Sequence, residues 1–185
     1  MHFIENSRRA DTLMKTNPQI RKETAKDIYA IESLTEKAFL EMPYSSHTEH
    51  FIVNALRRAG RLTLSLVAIE SATDEILGHI AISPVSITGN ATGWFGLGPL
   101  SVTPERQREG IGSALVKEAL KHLKNADADG CVVLGDPDYY ARFGFKPEAA
   151  LILPDVPAEY FQAIAFKKNI PSGTVTFDEA FEARA

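Results

Sequence analysis

Apolar positions along the chain fall into two rhythms, one of about 3.6 residues and one of two. After Thr24-Ala-Lys-Asp27, a Thr-x-x-Asp helix start, Ile28, Ile31, Thr35, Ala38 and Phe39 follow at helical spacing, and Met42-Pro43-Tyr44 breaks the run. Ser46-His-Thr-Glu49 has the form of a capping box. It opens a second helix through Phe51, Ile52, Ala55, Leu56 and Ala59 to Gly60. A third helix carries Ile111, Leu115, Val116, Ala119, Leu120 and Leu123 on one face, with Lys117, Lys121 and Lys124 largely off it. Between these lie β-rich runs: Ile20–Glu23, Leu62–Glu70, Ile76–Ile87 and Trp94–Val102. Pro84 bends the third of these or marks an edge. The turn clusters Ser71–Asp74 and Thr88–Gly93 make the last three runs antiparallel neighbours. Gly130–Leu134 is short and wholly apolar, as a buried strand should be. A helix joins it to Trp94–Val102, so the two should lie parallel. A short helix over Tyr139–Phe143 and strands over Leu151–Leu153 and Tyr160–Lys167 complete the series. The pattern predicts an α/β (α+β sandwich) fold, a mixed sheet flanked by helices. Residues 1–19 form an extension without a clear period, 20–170 the domain, and 171–185 a tail packed on it, with a strand and a turn of helix.

Composition narrows the function classes. A chain of 185 residues is long enough for one domain with a sizeable core, and its 44% hydrophobic and 24% charged residues are ordinary for a globular protein. The net charge of −4 argues against broad nucleic-acid or anionic-membrane binding. The single cysteine, Cys131, excludes an internal disulfide and fits a reducing compartment. No apolar run approaches a membrane span, and the charged first 20 residues hold no signal-peptide core, so the reading is cytoplasmic. No His, Cys or carboxylate set has metal-ligand spacing, so no metal is expected.

The candidate chemistry sits between Leu97 and Leu123. The run Leu100–Val102, closed by Thr103-Pro104, reads as a strand end, and Gln107-Arg108-Glu109-Gly110-Ile111-Gly112 turns into a helix. Glycine lets backbone approach a ligand closely, and the free N–H groups of a first helical turn favour an anion. There is no Gly-Lys-Ser/Thr for a Walker loop and no third glycine in dinucleotide register. The segment does have the form Gln/Arg-x-x-Gly-x-Gly/Ala preceded by Val-x-Pro. In this it resembles the pyrophosphate loop of the GNAT acetyltransferase superfamily. The stretch Leu134-Gly-Asp-Pro-Asp-Tyr-Tyr-Ala-Arg-Phe-Gly-Phe145 is similar to that family's second signature, Tyr-x-x-x-Gly-Phe, with Tyr140 four residues before Gly144. Its Gly-Asp-Pro-x-Tyr-Tyr form resembles the YhbS-like branch of N-acetyltransferases. The resemblance covers roughly residues 21–168.

The resemblance implies a sheet whose two central parallel strands splay apart, with the pantetheine arm of acetyl-CoA filling the gap. Main-chain groups of Leu100, Ser101 and Val102 would hold that arm, the Leu100 N–H facing the thioester carbonyl where negative charge develops. N–H groups from Gln107, Arg108, Glu109, Gly110, Ile111, Gly112 and Ser113 would hold the diphosphate, with Arg106 or Arg108 reaching a phosphate. Tyr140 would be the general acid for the CoA thiolate, and its neighbour Tyr139 is both a cofactor contact and the competing acid. Asp136 is either a base or amine-binding group, or the cap of the turn before Pro137. The strand Trp94–Gly98 has no acidic residue, so deprotonation of the amine would run through water or use Glu41, His47 or His50. His79, in an apolar strand, reads as structural, as do Phe143 and Phe145, and Cys131 as buried and unreactive. The expected partners are acetyl-CoA, the acyl donor, and an amine acceptor, for a monomer or homodimer. The rival readings are a non-catalytic acyl-CoA sensor and transfer of a longer acyl chain.

Overall fold

In the computed structural model, residues 18–43 and 45–184 are described. Most of the expected N-terminal extension, and Tyr44, lie outside them. The elements are β1 (Gln19–Lys22), α1 (Ile28–Phe39), α2 (Glu49–Arg58), β2 (Leu64–Ile69), β3 (Ile76–Pro84), β4 (Ser86–Ile87), β5 (Trp94–Val102), α3 (Ile111–Asn125), β6 (Gly130–Leu134), α4 (Pro137–Tyr140), β7 (Leu151–Ile152), β8 (Phe161–Ala165) and β9 (Gly173–Thr176). A six-stranded sheet runs β1-β2-β3-β5-β6-β8, antiparallel except for the parallel pair β5–β6. A second sheet of three short strands runs β4-β9-β7. The two-residue period sorts β2 and β3 between two faces. Leu64, Leu66, Ile80 and Ile82 meet Ile111, Leu115, Val116 and Ala119 of α3 on one side. Val67, Ile69 and Ala81 meet Ile31 of α1 and Val53 of α2 on the other.

Two local expectations change. The run Ile76–Ile87 is not one strand: it breaks at Val85, and Ser86–Ile87 leaves the large sheet to pair with β9. Pro84 is still opposed to Phe95 and the Val85 N–H still donates to Trp94 O at 3.2 Å, so the chain leaves the large sheet only after Val85. The capping box at Ser46–Glu49 does not form either. Helix α2 begins at Glu49, whose carboxylate instead accepts from Ser45 Oγ at 2.7 Å. The Thr24 box does form: Asp27 Oδ2 accepts from the Thr24 N–H at 2.6 Å and from its hydroxyl at 2.9 Å. Arg21 clamps the same carboxylate at 2.7 and 3.0 Å and holds the Asp27 pKa well below the usual carboxylate range.

A buried polar cluster lies on the α1/α2 face. Arg57 grips Glu23 at 2.8 and 2.9 Å, Ser65 Oγ donates to Glu23, and His79 Nε2 lies 2.8 Å from Ser65 Oγ. His79 is fully buried, as a structural role requires, and burial lowers its pKa to about 4. Burial also works against the Glu23 carboxylate, but the bonds from Arg57 and Ser65 outweigh it and leave its pKa lowered. Because the unfolded chain takes up a proton on His79 near pH 6.5 and the folded chain only near 4, acid favours unfolding across that window. Wild-type stability is therefore expected to fall by on the order of 3 kcal/mol from pH 7 to 4 through this group alone. Urea melts of His79→Gln at pH 7 and pH 5 should show a shallower pH slope than wild type. An identical slope would contradict the assignment.

Candidate active site

The site begins where β5 and β6 part. Their parallel pairing runs only from Trp94↔Gly130 to Leu97↔Val133, after which β5 continues for five residues and β6 ends at Leu134. Here the β3–β5 register also slips, between Ile80 and Ile82. Beyond the slip, Gly78↔Val102, His79↔Ser101 and Ile80↔Leu100 are opposed, and the Thr103 N–H donates to Leu77 O at 2.9 Å. In an antiparallel ladder the bonding direction alternates. With Thr103 and Ser101 facing β3, the main-chain groups of Leu100 and Val102 face the gap on the β6 side. Consistent with this, Val102 O accepts from Gln107 Nε2 at 3.3 Å, not from β3. Ser101 stands apart: its main chain faces β3, and its buried hydroxyl donates to Thr35 Oγ1 of α1 at 3.2 Å.

The loop at the open end curls on two left-handed residues, Arg108 at φ 63° and Gly110 at φ 90°. Such turns aim successive N–H groups into one concavity. Gly110 is the N-cap of α3 and supplies no side chain, so the N–H groups of Ile111, Gly112 and Ser113 have no side-chain cap. Gly112 lies against the strand: a Cβ there would come 2.8 Å from Tyr139 Oη, 3.5 Å from Val102 Cγ2 and 3.8 Å from Leu100 Cδ2. Loop, strand and Tyr139 thus converge on one point. Arg106 is engaged by Glu109 at 2.8 Å and Glu70 at 3.0 Å, so it braces the loop. Arg108 forms no ion pair among the described residues.

The two tyrosine rings meet edge to face with centroids 4.9 Å apart, and each has its own surroundings. Tyr139 reaches the helix start, where burial raises its pKa against a hydrogen bond to Ser113. Tyr140 packs on Phe145 and on Gly135, the residue that follows β6, and burial pushes its phenol well above the ordinary range. A Cβ on Gly135 would sit 2.5 Å from Tyr140 Cε2, so only glycine admits the ring. Gly135→Ala is expected to cost about 1–3 kcal/mol by overpacking and to lower turnover, checked by thermal melts and steady-state rates. Asp136 realises the cap alternative: Oδ1 accepts from the Asp138 N–H at 2.9 Å, starting α4. Of the other base candidates, Glu41 is exposed, His47 is exposed with Nδ1 3.0 Å from Phe39 O, and His50 is buried against Phe51. None of them meets the gap through a hydrogen bond or ion pair. Cys131 is buried, and burial raises its thiol pKa, as expected of an inert cysteine.

One feature escaped the sequence reading. A groove of about 460 Å³ runs between α3 and the turn Ala141–Phe143 that follows α4, lined by Lys117, Lys121, Lys124, Asn125, Arg142 and Phe143. The Arg142 guanidinium lies 4.4 Å from the centre of the Tyr139 ring. The lysines lie largely off the apolar face of α3, and only the approach of the turn Ala141–Phe143 makes them a wall of one cationic cleft.

Residues 62–147 match the acetyltransferase (GNAT) domain family. The N-acetyltransferase YhbS of Escherichia coli K12 is 36% identical over 127 residues, 69% of this chain and 72% of YhbS. The chain belongs to the GNAT acetyltransferase family. The E. coli relative also bears out the resemblance to the YhbS-like branch. Among solved structures, a GNAT family acetyltransferase from Brucella melitensis in complex with acetyl-CoA is 50% identical, with a TM-score of 0.78 over 88% of this chain and 97% of that one. YhbS from E. coli in complex with CoA has a TM-score of 0.81 at 31% identity, over 91% of this chain and 94% of that one. The GNAT fold expected from the two signatures is therefore the fold found, including the parallel pair at the centre of the sheet. No helix among the described residues is long and apolar enough to cross a membrane.

Proposed function

We propose that this GNAT acetyltransferase moves the acetyl group of acetyl-CoA directly to a primary amine, both substrates being bound together. The observation that carries the reading is the convergence at Gly112. The gap that β5 leaves beside β6, the uncapped start of α3 and the Tyr139 hydroxyl meet within a few ångströms of one another. A pantetheine arm lying along Leu100–Val102 finds the main-chain groups of Leu100 and Val102 facing it, with Ser101 holding the strand to α1. The diphosphate then falls on the N–H groups from Gln107 to Ser113, with Arg108 beside it. The adenosine 3′-phosphate end lies in the cationic groove of Lys117, Lys121, Lys124 and Arg142. The two relatives bound to acetyl-CoA and CoA support acetyl-CoA as the donor.

The chemistry follows from the charges. The amine nitrogen forms a bond to the acetyl carbon, and the carbonyl oxygen becomes an oxyanion that the fixed Leu100 N–H stabilises without reorganisation. The C–S bond breaks, the thiolate takes a proton from Tyr140, and the proton released by the nitrogen passes to water. Burial keeps the Tyr140 phenol protonated at working pH, the form a general acid needs. The domain doing this spans residues 20–170, with 171–185 contributing β9 to the second sheet.

The second reading is a non-catalytic acyl-CoA sensor, favoured by the absence of an acidic residue on β5. Calorimetric titration with acetyl-CoA followed by an amine screen separates the two: binding with thiol release supports transfer, and binding without release on any amine supports the sensor. Parallel double-reciprocal lines would contradict direct transfer.

A further inference from the structure

The donor approaches β5 along the gap, so the acceptor must reach the thioester past the strand's α1/α2 face, and along that face two positions are closed. At Ser101 the buried hydroxyl is bonded to Thr35. At Gly96 the place of a side chain is filled by Phe177: a Cβ there would come 2.5 Å from Phe177 Cε1 and 3.1 Å from Val85 Cγ1. Between them Gly98, the first residue after the last β5–β6 pair, has nothing within 4 Å of a Cβ position. Gly98 is also partly exposed, whereas Gly96 and Ser101 are buried. Across from Gly96, Ser83 is fully buried and its hydroxyl has no partner among the described residues.

Phe177 is held from three directions. Its ring stacks on Phe181 with centroids 4.8 Å apart. Asp178 pairs with Arg61 at 2.8 Å and caps the following turn, and Ala180 is buried with Ile52 and Leu56 of α2. The ring is therefore a fixed wall at Gly96, two residues along the strand from the Gly98 opening.

Resting on the acetyl-transfer reading above, we infer that Phe177 is a specificity-determining residue. It narrows the acceptor's entrance at Gly98 and selects a primary amine on an unbranched carbon over one on a branched carbon. The tail after residue 170 thus sets the acceptor class as well as completing the second sheet.

The test uses the full chain with acetyl-CoA and two probes, n-butylamine and sec-butylamine, read as thiol release, with acetyl-CoA hydrolysis without amine as a third readout. Wild type should favour the linear amine in kcat/KM. Phe177→Ala should reduce that preference about tenfold, the scale of one misplaced carbon in a pocket. Phe177→Leu should fall between them. Acetyl-CoA hydrolysis without amine is the baseline and should be the same in both proteins, because an entrance that admits an amine already admits water. If wild type turns over neither butylamine, Phe177→Ala should gain measurable turnover of n-butylamine above that baseline. Unchanged CoA affinity certifies that the variants are folded. An unchanged linear-to-branched ratio, or no gain of turnover where wild type turns over neither amine, overturns the inference. Wild type that fails to bind acetyl-CoA overturns the transfer reading beneath it instead.

Discussion

Gly112→Glu is expected to weaken acetyl-CoA binding by more than a hundredfold while leaving the protein folded. Two effects add. A side chain at Gly112 meets Tyr139 Oη at 2.8 Å, within the space where loop and strand converge. Its carboxylate also stands at the start of α3, where the proposed diphosphate accepts fixed N–H groups. Hydrogen bonds to a charged group contribute about 1.5–3 kcal/mol each, so losing two costs at least about 3 kcal/mol. That corresponds to more than a hundredfold in affinity. Calorimetry with acetyl-CoA and a thermal melt on the same sample check this. The carboxylate itself suits a helix N-terminus, so the melt should shift little. Near-wild-type affinity would remove the diphosphate from this loop and with it the proposed donor site.

Tyr140→Phe is expected to lower kcat about a hundredfold with acetyl-CoA affinity unchanged. General acid catalysis contributes typically 10²–10⁴, and the low end applies because a thiolate, with a thiol pKa near 8.5, already leaves readily. The ring would keep its place on Gly135 and Phe145, so only the proton is removed. Since burial raises the phenol pKa, the wild-type kcat should show no alkaline limb from this group below pH 10. The control is Tyr139→Phe. Its hydroxyl lies at Gly112 and Ser113, so its loss should raise the acetyl-CoA dissociation constant severalfold and leave kcat nearly intact. The reverse outcome, with kcat lost in Tyr139→Phe and kept in Tyr140→Phe, would exchange their roles.

Much of the fold was legible because local pattern and tertiary demand agree. Gly130–Val133 is apolar because both faces of the strand are covered there, by α3 on one side and by the small sheet on the other, while Leu134 at its end is exposed. The apolar stripe of α3 is the face that meets β2 and β3. The Thr24 box was readable because a cap is made within four residues. The Ser46 box resembled it in sequence and failed, since Glu49 found a partner in Ser45 instead. The glycines at 110 and 112 marked the loop for two reasons: Gly110 takes a left-handed φ of 90°, and Gly112 lies too close to Tyr139 for a side chain.

The sequence by itself determined the order of elements, the parallel crossover and the position of the Gly-x-Gly turn, all set by spacing within about 30 residues. Only the tertiary structure decided which side of β5 each main-chain group faces, because that depends on the register slip opposite Ile80–Ile82. Tertiary contact also tied Arg106 to Glu70 and made a cationic cleft from lysines that lie off the apolar stripe of α3. It brought Phe177 onto Gly96, 81 positions earlier in the chain. Contacts at such separation are fixed by packing of whole elements, and no local period along the chain encodes them.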